Sequence, residues 1–218
     1  MAILLKNRLM GEAQVKGKIP VIGLMGGIGA GKSYIMDLME QNFNVLCIKS
    51  DEISRKQLMP GQKAYKSVVE NFGKGILDND GAIDRNKLAA EIFANDAKRM
   101  LLNSLTHPPV IEELKKIIEE ASGYEALVIE SALIVSAGIG GMFDKIWLVS
   151  APREQRIERL INKRGYTRDK AIGIMERQDS DEEFEKYADE VIFNVNGGSK
   201  EELLCHIRKL FEDTAINI

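Results

Sequence analysis

Several common signals are missing from this 218-residue chain. It has no surplus of positive charge: 30 lysines and arginines stand against 33 aspartates and glutamates, a net charge of −3. A protein whose main partner is nucleic acid would carry a basic excess, so that class is set aside. There are only two cysteines, Cys47 and Cys205, far apart in the chain. Cys47 falls in a strand pattern and Cys205 in a helix pattern, so both are read as buried thiols rather than as a disulfide framework. No apolar run approaches the roughly 20 residues that span a bilayer. The stretch from Met1 to Lys18 offers only Ala2-Ile3-Leu4-Leu5 before charges begin, too short for a secretory signal core. A frayed extension and a short packing helix both suit it. No internal repeat or low-complexity segment is evident. What is present is an ordinary balance, 44% hydrophobic and 29% charged. It suits one α/β domain with an insertion or a small lid, located in the cytoplasm.

The most informative string is Gly26-Gly27-Ile28-Gly29-Ala30-Gly31-Lys32-Ser33. It fits glycine, any four residues, then Gly-Lys-Ser/Thr without a mismatch. It follows the apolar run Val21-Ile22-Gly23-Leu24-Met25 and precedes a helical pattern from Lys32 to Gln41. Strand, glycine loop and helix in that order predict a P-loop. Backbone N–H groups converging on a phosphate need angles that side chains resist, and the glycines remove the resistance. The helix adds its positive N-terminal end. Lys32 supplies a mobile charge for the β- and γ-phosphates, and the Ser33 hydroxyl is placed to ligate Mg²⁺. Nucleotide contacts are expected along Gly27, Ile28, Gly29, Ala30, Gly31, Lys32, Ser33 and Tyr34. A glycine-rich turn without a ligand would have no use for Lys-Ser at the start of a helix.

Strand-like runs recur at Val21–Met25, Asn44–Ile48, Ala126–Glu130, Lys145–Ser150 and Glu190–Val195, with helical patterns between them. The alternation predicts a five-stranded parallel sheet covered by helices on both faces. The interval from Ile48 to Ala126 is long and mostly helical: Asp51–Met59, Gln62–Phe72, Asp84–Phe93, Asp96–Leu105 and Pro109–Ala121. Pro60-Gly61, Asp78-Asn79-Asp80-Gly81 and His107-Pro108-Pro109 punctuate it, and Asp84 and Asp96 suit N-caps. These helices either cover the sheet or hold an acceptor site. The domain is therefore divided into a core (19–50, 122–151, 187–218), a helical insert (51–121) and a lid (152–186), with 1–18 as an extension.

The lid segment carries Arg153, Arg156, Arg159, Lys163, Arg164, Arg168, Lys170 and Arg177 on a helix–turn–helix pattern broken at Gly165. Arg156, Arg159 and Lys163 share a helix face. A solvated face paired with Glu154, Glu158 and Glu176 is one reading. A lid that closes arginines over phosphates is the other. Ser199-Lys200-Glu201-Glu202 is a capping box opening the last helix.

Among nucleotide-binding classes, a GTP switch would want Asn-Lys-x-Asp, and Asn162-Lys163-Arg164-Gly165 lacks the aspartate. Motors bring a strand ending in paired acids, whereas Leu127-Val128-Ile129-Glu130-Ser131 has one. Length, insert and arginine-rich lid favour a small-molecule kinase.

On these strings the chain resembles the dephospho-coenzyme A kinases, from about Ile19 to the end. The strongest likenesses are Gly23 to Ser33 and Ser50-Asp51-Glu52-Ile53-Ser54-Arg55. Others are Pro60-Gly61 with Tyr65, Phe72-Gly73, Ile76-Leu77, and Asp80-Gly81-Ala82-Ile83-Asp84-Arg85 with Leu88. Leu101-Leu102-Asn103-Ser104-Leu105-Thr106-His107-Pro108 is similar to the family's Leu-Asn-x-Leu-x-His-Pro. Arg164-Gly165, Ala171 and Gln178 resemble its lid. Ala188-Asp189-Glu190-Val191-Ile192, with Asn194 and Gly197, resembles the strand that ends near the adenine.

Departures fall elsewhere. Lys49-Ser50-Asp51 stands where the family has Asp-x-Asp. Glu130-Ser131-Ala132-Leu133-Ile134-Val135-Ser136 replaces Asp-x-Pro-Leu-Leu-Phe-Glu. Ile174 occupies the place of an arginine four residues before Gln178.

The resemblance implies a three-layer α/β P-loop kinase fold and ATP-dependent phosphorylation of the ribose 3′-hydroxyl of dephospho-CoA, with Mg²⁺. Lys32 and Arg164 would stabilise the phosphoryl group. Asp51 would orient or deprotonate the acceptor, unless it only caps the helix Glu52–Met59. Arg85 and His107 would line the acceptor pocket, unless His107 is only a helix-boundary residue. A kinase for another nucleoside or nucleotide, and a nucleotide-binding protein with little transfer activity, are the alternatives.

Overall fold

The computed structural model describes residues 19–93 and 95–214; the reading of residues 1–18 lies outside them. The chain packs as two compact units. One comprises the chain up to Ile48 and from Glu120 onward, the other Lys49–Glu119.

The first unit is built on β1 (Val21–Met25), β2 (Val45–Lys49), β3 (Ala126–Glu130), β4 (Lys145–Ser150) and β5 (Glu190–Phe193), in the order β2-β3-β1-β4-β5. The pairs β1–β3, β1–β4 and β4–β5 are parallel. Every residue of β1 is buried, as expected of a strand covered on both faces. Alternation along the strands sorts the side chains. Ile22, Leu24, Val128, Trp147 and Val149 point to one face. There they pack with Ile35, Met36 and Met39 of α1 (Lys32–Asn42) and with Ile207, Leu210 and Phe211 of α10 (Lys200–Asp213). Met25 and Leu148 point to the other face. There they meet Ile134 of α6 (Leu133–Ser136) and Phe184 of α9 (Asp181–Glu185). The Trp147 and Phe211 rings meet edge-on at 4.9 Å.

Between β4 and β5 run α7 (Arg153–Arg164), α8 (Arg168–Met175) and α9. Gly165 ends α7 in the left-handed region at φ +64. Ile157, Leu160 and Ala171 form the buried seam of α7 and α8, with Ile28 of the glycine loop against it. Ser199 caps α10 by accepting from the Glu202 N–H, as the capping box predicts.

The second unit holds α2 (Ser50–Gln57), α3 (Lys63–Phe72), α4 (Arg85–Phe93) and most of α5 (Asp96–Glu120) around Val68, Ile76 and Leu88. Asp78 Oδ1 accepts from the N–H groups of Asp80 and Ala82, which folds the predicted turn. Asp84 caps α4 through Asn86 and Lys87. At α5, Asn95 and not Asp96 accepts from the Lys98 N–H.

Two further expectations fail here. A break at His107-Pro108-Pro109 was expected, but α5 runs on through both prolines. The prolines cost the helix the N–H partners of the Ser104 and Leu105 carbonyls. Burial of Thr106, Val110, Leu114 and Ile118 along one side outweighs that loss. Neither cysteine is in the core: Cys47 is half-buried and Cys205 exposed.

Candidate active site

The loop Gly26–Gly31 leaves the carboxyl end of β1, the middle strand, where open α/β sheets bind ligands. Space requires several of its glycines: a Cβ on Gly26 would lie 2.3 Å from the Val149 carbonyl oxygen. Gly31 sits at φ +99, and a Cβ there would lie 2.0 Å from Asn194 Nδ2. A Cβ on Gly27 would lie 1.9 Å from Arg156 Nη2. Ala30 N–H donates to the Gly27 carbonyl and Ile35 N–H to that of Gly31, closing the loop onto α1.

Lys32 opens α1. Its Nζ donates to the Gly26 carbonyl at 2.8 Å and lies 3.4 Å from Glu130 Oε1. The register explains the second contact: Leu24 of β1 stands beside Glu130 at the end of β3. The loop's lysine and the strand's terminal acid therefore meet where the glycine loop begins.

Two arginines of α7, Arg156 and Arg159, turn to the carbonyls of the glycine loop. Arg156 is only 5% exposed. Its Nε donates to the Ile28 carbonyl at 2.9 Å, and its Nη1 pairs with Asp181 at 2.8 Å. Arg159 donates to the carbonyls of Gly29, Ala30 and Asn194 and to Asn196 Oδ1. Burial pulls its guanidinium below the usual arginine value. The two side chains fasten the loop by its carbonyls and so fix its backbone shape. The glutamate-paired reading holds for Arg168, which bonds Glu154 at 2.7 Å. Arg164 ends α7 and is exposed. Ile174, on α8, is half-buried.

Asn194 follows β5 and is 8% exposed. Its Nδ2 donates to the Ala30 carbonyl at 2.8 Å. Beside it a cleft of about 510 Å³ is lined by Gly31, Tyr34, Arg159, Phe193, Asn194 and His206 among others. Tyr34 and Phe193 expose their rings, the surface type on which a base stacks.

The remaining sequence candidates lie in the Lys49–Glu119 unit. Asp51 is exposed in the first turn of α2, which begins at Ser50 with Lys49 at the cap position. The capping alternative for Asp51 is thereby corrected, because the helix starts one residue ahead of it. It stands instead in the first turn, where negative charge suits the positive end of the helix dipole. Arg85 is exposed at the start of α4. His107 is half-buried inside α5, not at a helix boundary, and desolvation lowers its pKa.

Mg²⁺ takes hard oxygen ligands, keeps several waters and binds mainly through substrate phosphates and one or two protein oxygens. The exposed Ser33 hydroxyl and the Glu130 carboxylate beside Lys32 are donors of that kind. No group of three or more His, Cys, Asp or Glu is arranged to hold a metal among the described residues. The donor set fits a metal that arrives with a nucleotide.

Sequence reasoning missed Glu130 as the partner of Lys32; its only signal was a single acid ending an apolar strand. It also missed Arg156 and Arg159 as loop fasteners, since helix periodicity shows a shared face but not what the face meets.

Comparison with known proteins identifies the family. The sequence model of dephospho-CoA kinase matches residues 20–201. A dephospho-CoA kinase of Carboxydothermus hydrogenoformans is 39% identical over 195 residues, covering 88% of this chain and 94% of that one. One of Bacillus licheniformis is 35% identical over 200 residues, covering 91% and 98%. A solved structure from Thermus thermophilus shares the fold with a TM-score of 0.76, 24% identity, and coverage of 90% and 98%. With the family model matching residues 20–201 and relatives alike over most of its length, the chain belongs to the dephospho-CoA kinase family.

Proposed function

We propose that this protein transfers the γ-phosphoryl group of ATP to the ribose 3′-hydroxyl of dephospho-CoA, giving CoA and ADP, in the cytoplasm. The observation that carries this reading is the glycine loop fastened at its carbonyls, with Lys32 at its mouth. Such a loop turns its N–H groups toward phosphate. Lys32 would exchange the Gly26 carbonyl for phosphate oxygens and neutralise charge as the group transfers. Ser33, with Glu130, would hold Mg²⁺, which when bound neutralises the phosphates and orients them. The adenine would lie in the cleft beside Tyr34, Phe193 and Asn194.

On the acceptor side, Asp51 would take the proton of the 3′-hydroxyl as its oxygen bonds to the γ-phosphorus. The bond from that phosphorus to the bridging oxygen then breaks, and ADP leaves. Arg85 and His107 would bind the acceptor, and Arg164 would stabilise the charge in flight. The family relationship supports dephospho-CoA as the acceptor.

Coupled measurement of ADP release tests this, with dephospho-CoA set against a panel of nucleosides and nucleotides. Dephospho-CoA should be turned over best, and EDTA should abolish the signal. Faster turnover of another acceptor would reassign the substrate. ATP binding with no ADP release from any acceptor would leave a nucleotide-binding protein.

A further inference from the structure

Both backbone polar groups of Ile28, at the tip of the glycine loop, are held by the segment that follows β4. The carbonyl accepts from Arg156 Nε at 2.9 Å, and the N–H donates to Gln178 Oε1 at 2.7 Å. The two grips are unlike. A phosphate oxygen, itself an acceptor, cannot take the place of Arg156 on the Ile28 carbonyl, and the buried guanidinium is held by Asp181, so the Arg156 contact survives when phosphate enters the loop. The Ile28 N–H is a donor of the class this loop offers to phosphate, and an exposed carboxamide oxygen sits on it.

The supports of the grips differ too. Arg156 is buried and tied to Asp181. Gln178 lies beyond the end of α8, with its N–H on the Met175 carbonyl and its side chain reaching across to the loop. The first grip is an anchor and the second a latch.

We infer that Gln178 is an internal competitor for the nucleotide's phosphates. Its carboxamide oxygen holds the Ile28 N–H until a phosphate oxygen takes its place, so Gln178 sets nucleotide affinity. Displacement of the latch then reports loop occupancy to the α8–α9 segment, while Arg156 keeps the Ile28 carbonyl fixed. The inference rests on the loop binding nucleotide phosphates.

Calorimetric titration of the full chain tests it, using a non-hydrolysable ATP analogue with Mg²⁺, and adenosine. Wild type, Gln178→Ala and Gln178→Glu are compared. Gln178→Ala removes the competing acceptor and should tighten the ATP analogue by about 2- to 10-fold, the net worth of one hydrogen bond. Gln178→Glu should weaken it below wild type, because a carboxylate holds the N–H harder and repels phosphate. Adenosine, lacking phosphate, should bind all three alike. If wild type binds the analogue but Gln178→Ala binds it equally or more weakly, the latch is refuted and Gln178 is a structural contact or a direct ligand. Tightening of adenosine in parallel with the analogue would also refute it, since the effect would then come from the base cleft. If wild type does not bind the analogue at all, the nucleotide reading itself fails.

Discussion

The two units of this protein place their candidate residues in opposite ways. Around the glycine loop the machinery is tied down before any substrate is considered. Lys32 lies on the Gly26 carbonyl and Glu130, Arg156 on Ile28, Arg159 on Gly29 and Ala30, and Asn194 on Ala30. In the Lys49–Glu119 unit, Asp51 and Arg85 stand exposed on first turns of helices, and His107 is half-buried on a long one. The difference matches the chemistry proposed for each side. A loop that binds phosphate with backbone groups works only in one backbone shape, so surrounding side chains must enforce it. An acceptor residue works through its own side chain and needs only a rigid helix to stand on. Errors should therefore act through shape in the first unit and through lost chemistry in the second.

Asp51→Asn tests the second half of that contrast and carries the largest expected effect. Turnover should fall about 10²–10⁴-fold, as for loss of a general base, with the KM for ATP little changed. Full activity in this variant would leave Asp51 no role beyond its place near the α2 dipole.

Lys32→Ala should lower turnover about 10²–10³-fold by removing a donor aimed at developing charge. Its circular dichroism should match wild type, because the side chain meets one carbonyl and one carboxylate rather than core. Near-normal turnover would overturn the loop assignment.

Gly31→Ala should act through shape. It combines φ +99 with a Cβ 2.0 Å from Asn194 Nδ2, so urea unfolding should show a loss of about 1–3 kcal/mol. Unchanged stability would mean the loop is less constrained than its contacts indicate.

Arg164→Ala should cost turnover about tenfold, less than a fully committed charge donor, because Lys163 and Arg168 flank it. No change would leave Arg164 without a part in the transfer.

The smallest effect concerns His107, whose pKa is lowered by burial. The unfolded chain then binds the proton more readily than the folded one. Its contribution to stability is present above about pH 6.5 and is lost as pH falls below it. Melting temperatures at pH 7.5 and 5.5 should show a slightly larger drop for wild type than for His107→Gln; equal drops would show that the site is effectively solvated.

Much of the architecture was legible because it is local. Buried strands are continuous apolar runs, and β1, β3 and β4 fall on the predicted residues. The glycine loop is contiguous, and the Ser199 cap depends on a residue three positions away. The fastening of the loop was not legible. Arg156 and Gln178 lie far along the chain from Ile28, and no spacing rule links them to it. The unbroken α5 was misjudged for a related reason: proline's cost is local and visible, whereas the burial that offsets it is distant and is not.

By itself, then, the sequence determined the succession of strands along the chain, the glycine-rich loop between β1 and α1 and the Ser199 cap, since each follows from neighbouring residues and their backbone preferences. Only the tertiary structure decided that Lys32 meets Glu130, that Arg156 and Arg159 face carbonyls of the loop, and that Gln178 sits on its N–H. Those pairings are set by strand register and by the packing of α7 and α8 against Ile28, which bring together residues that the chain itself keeps far apart.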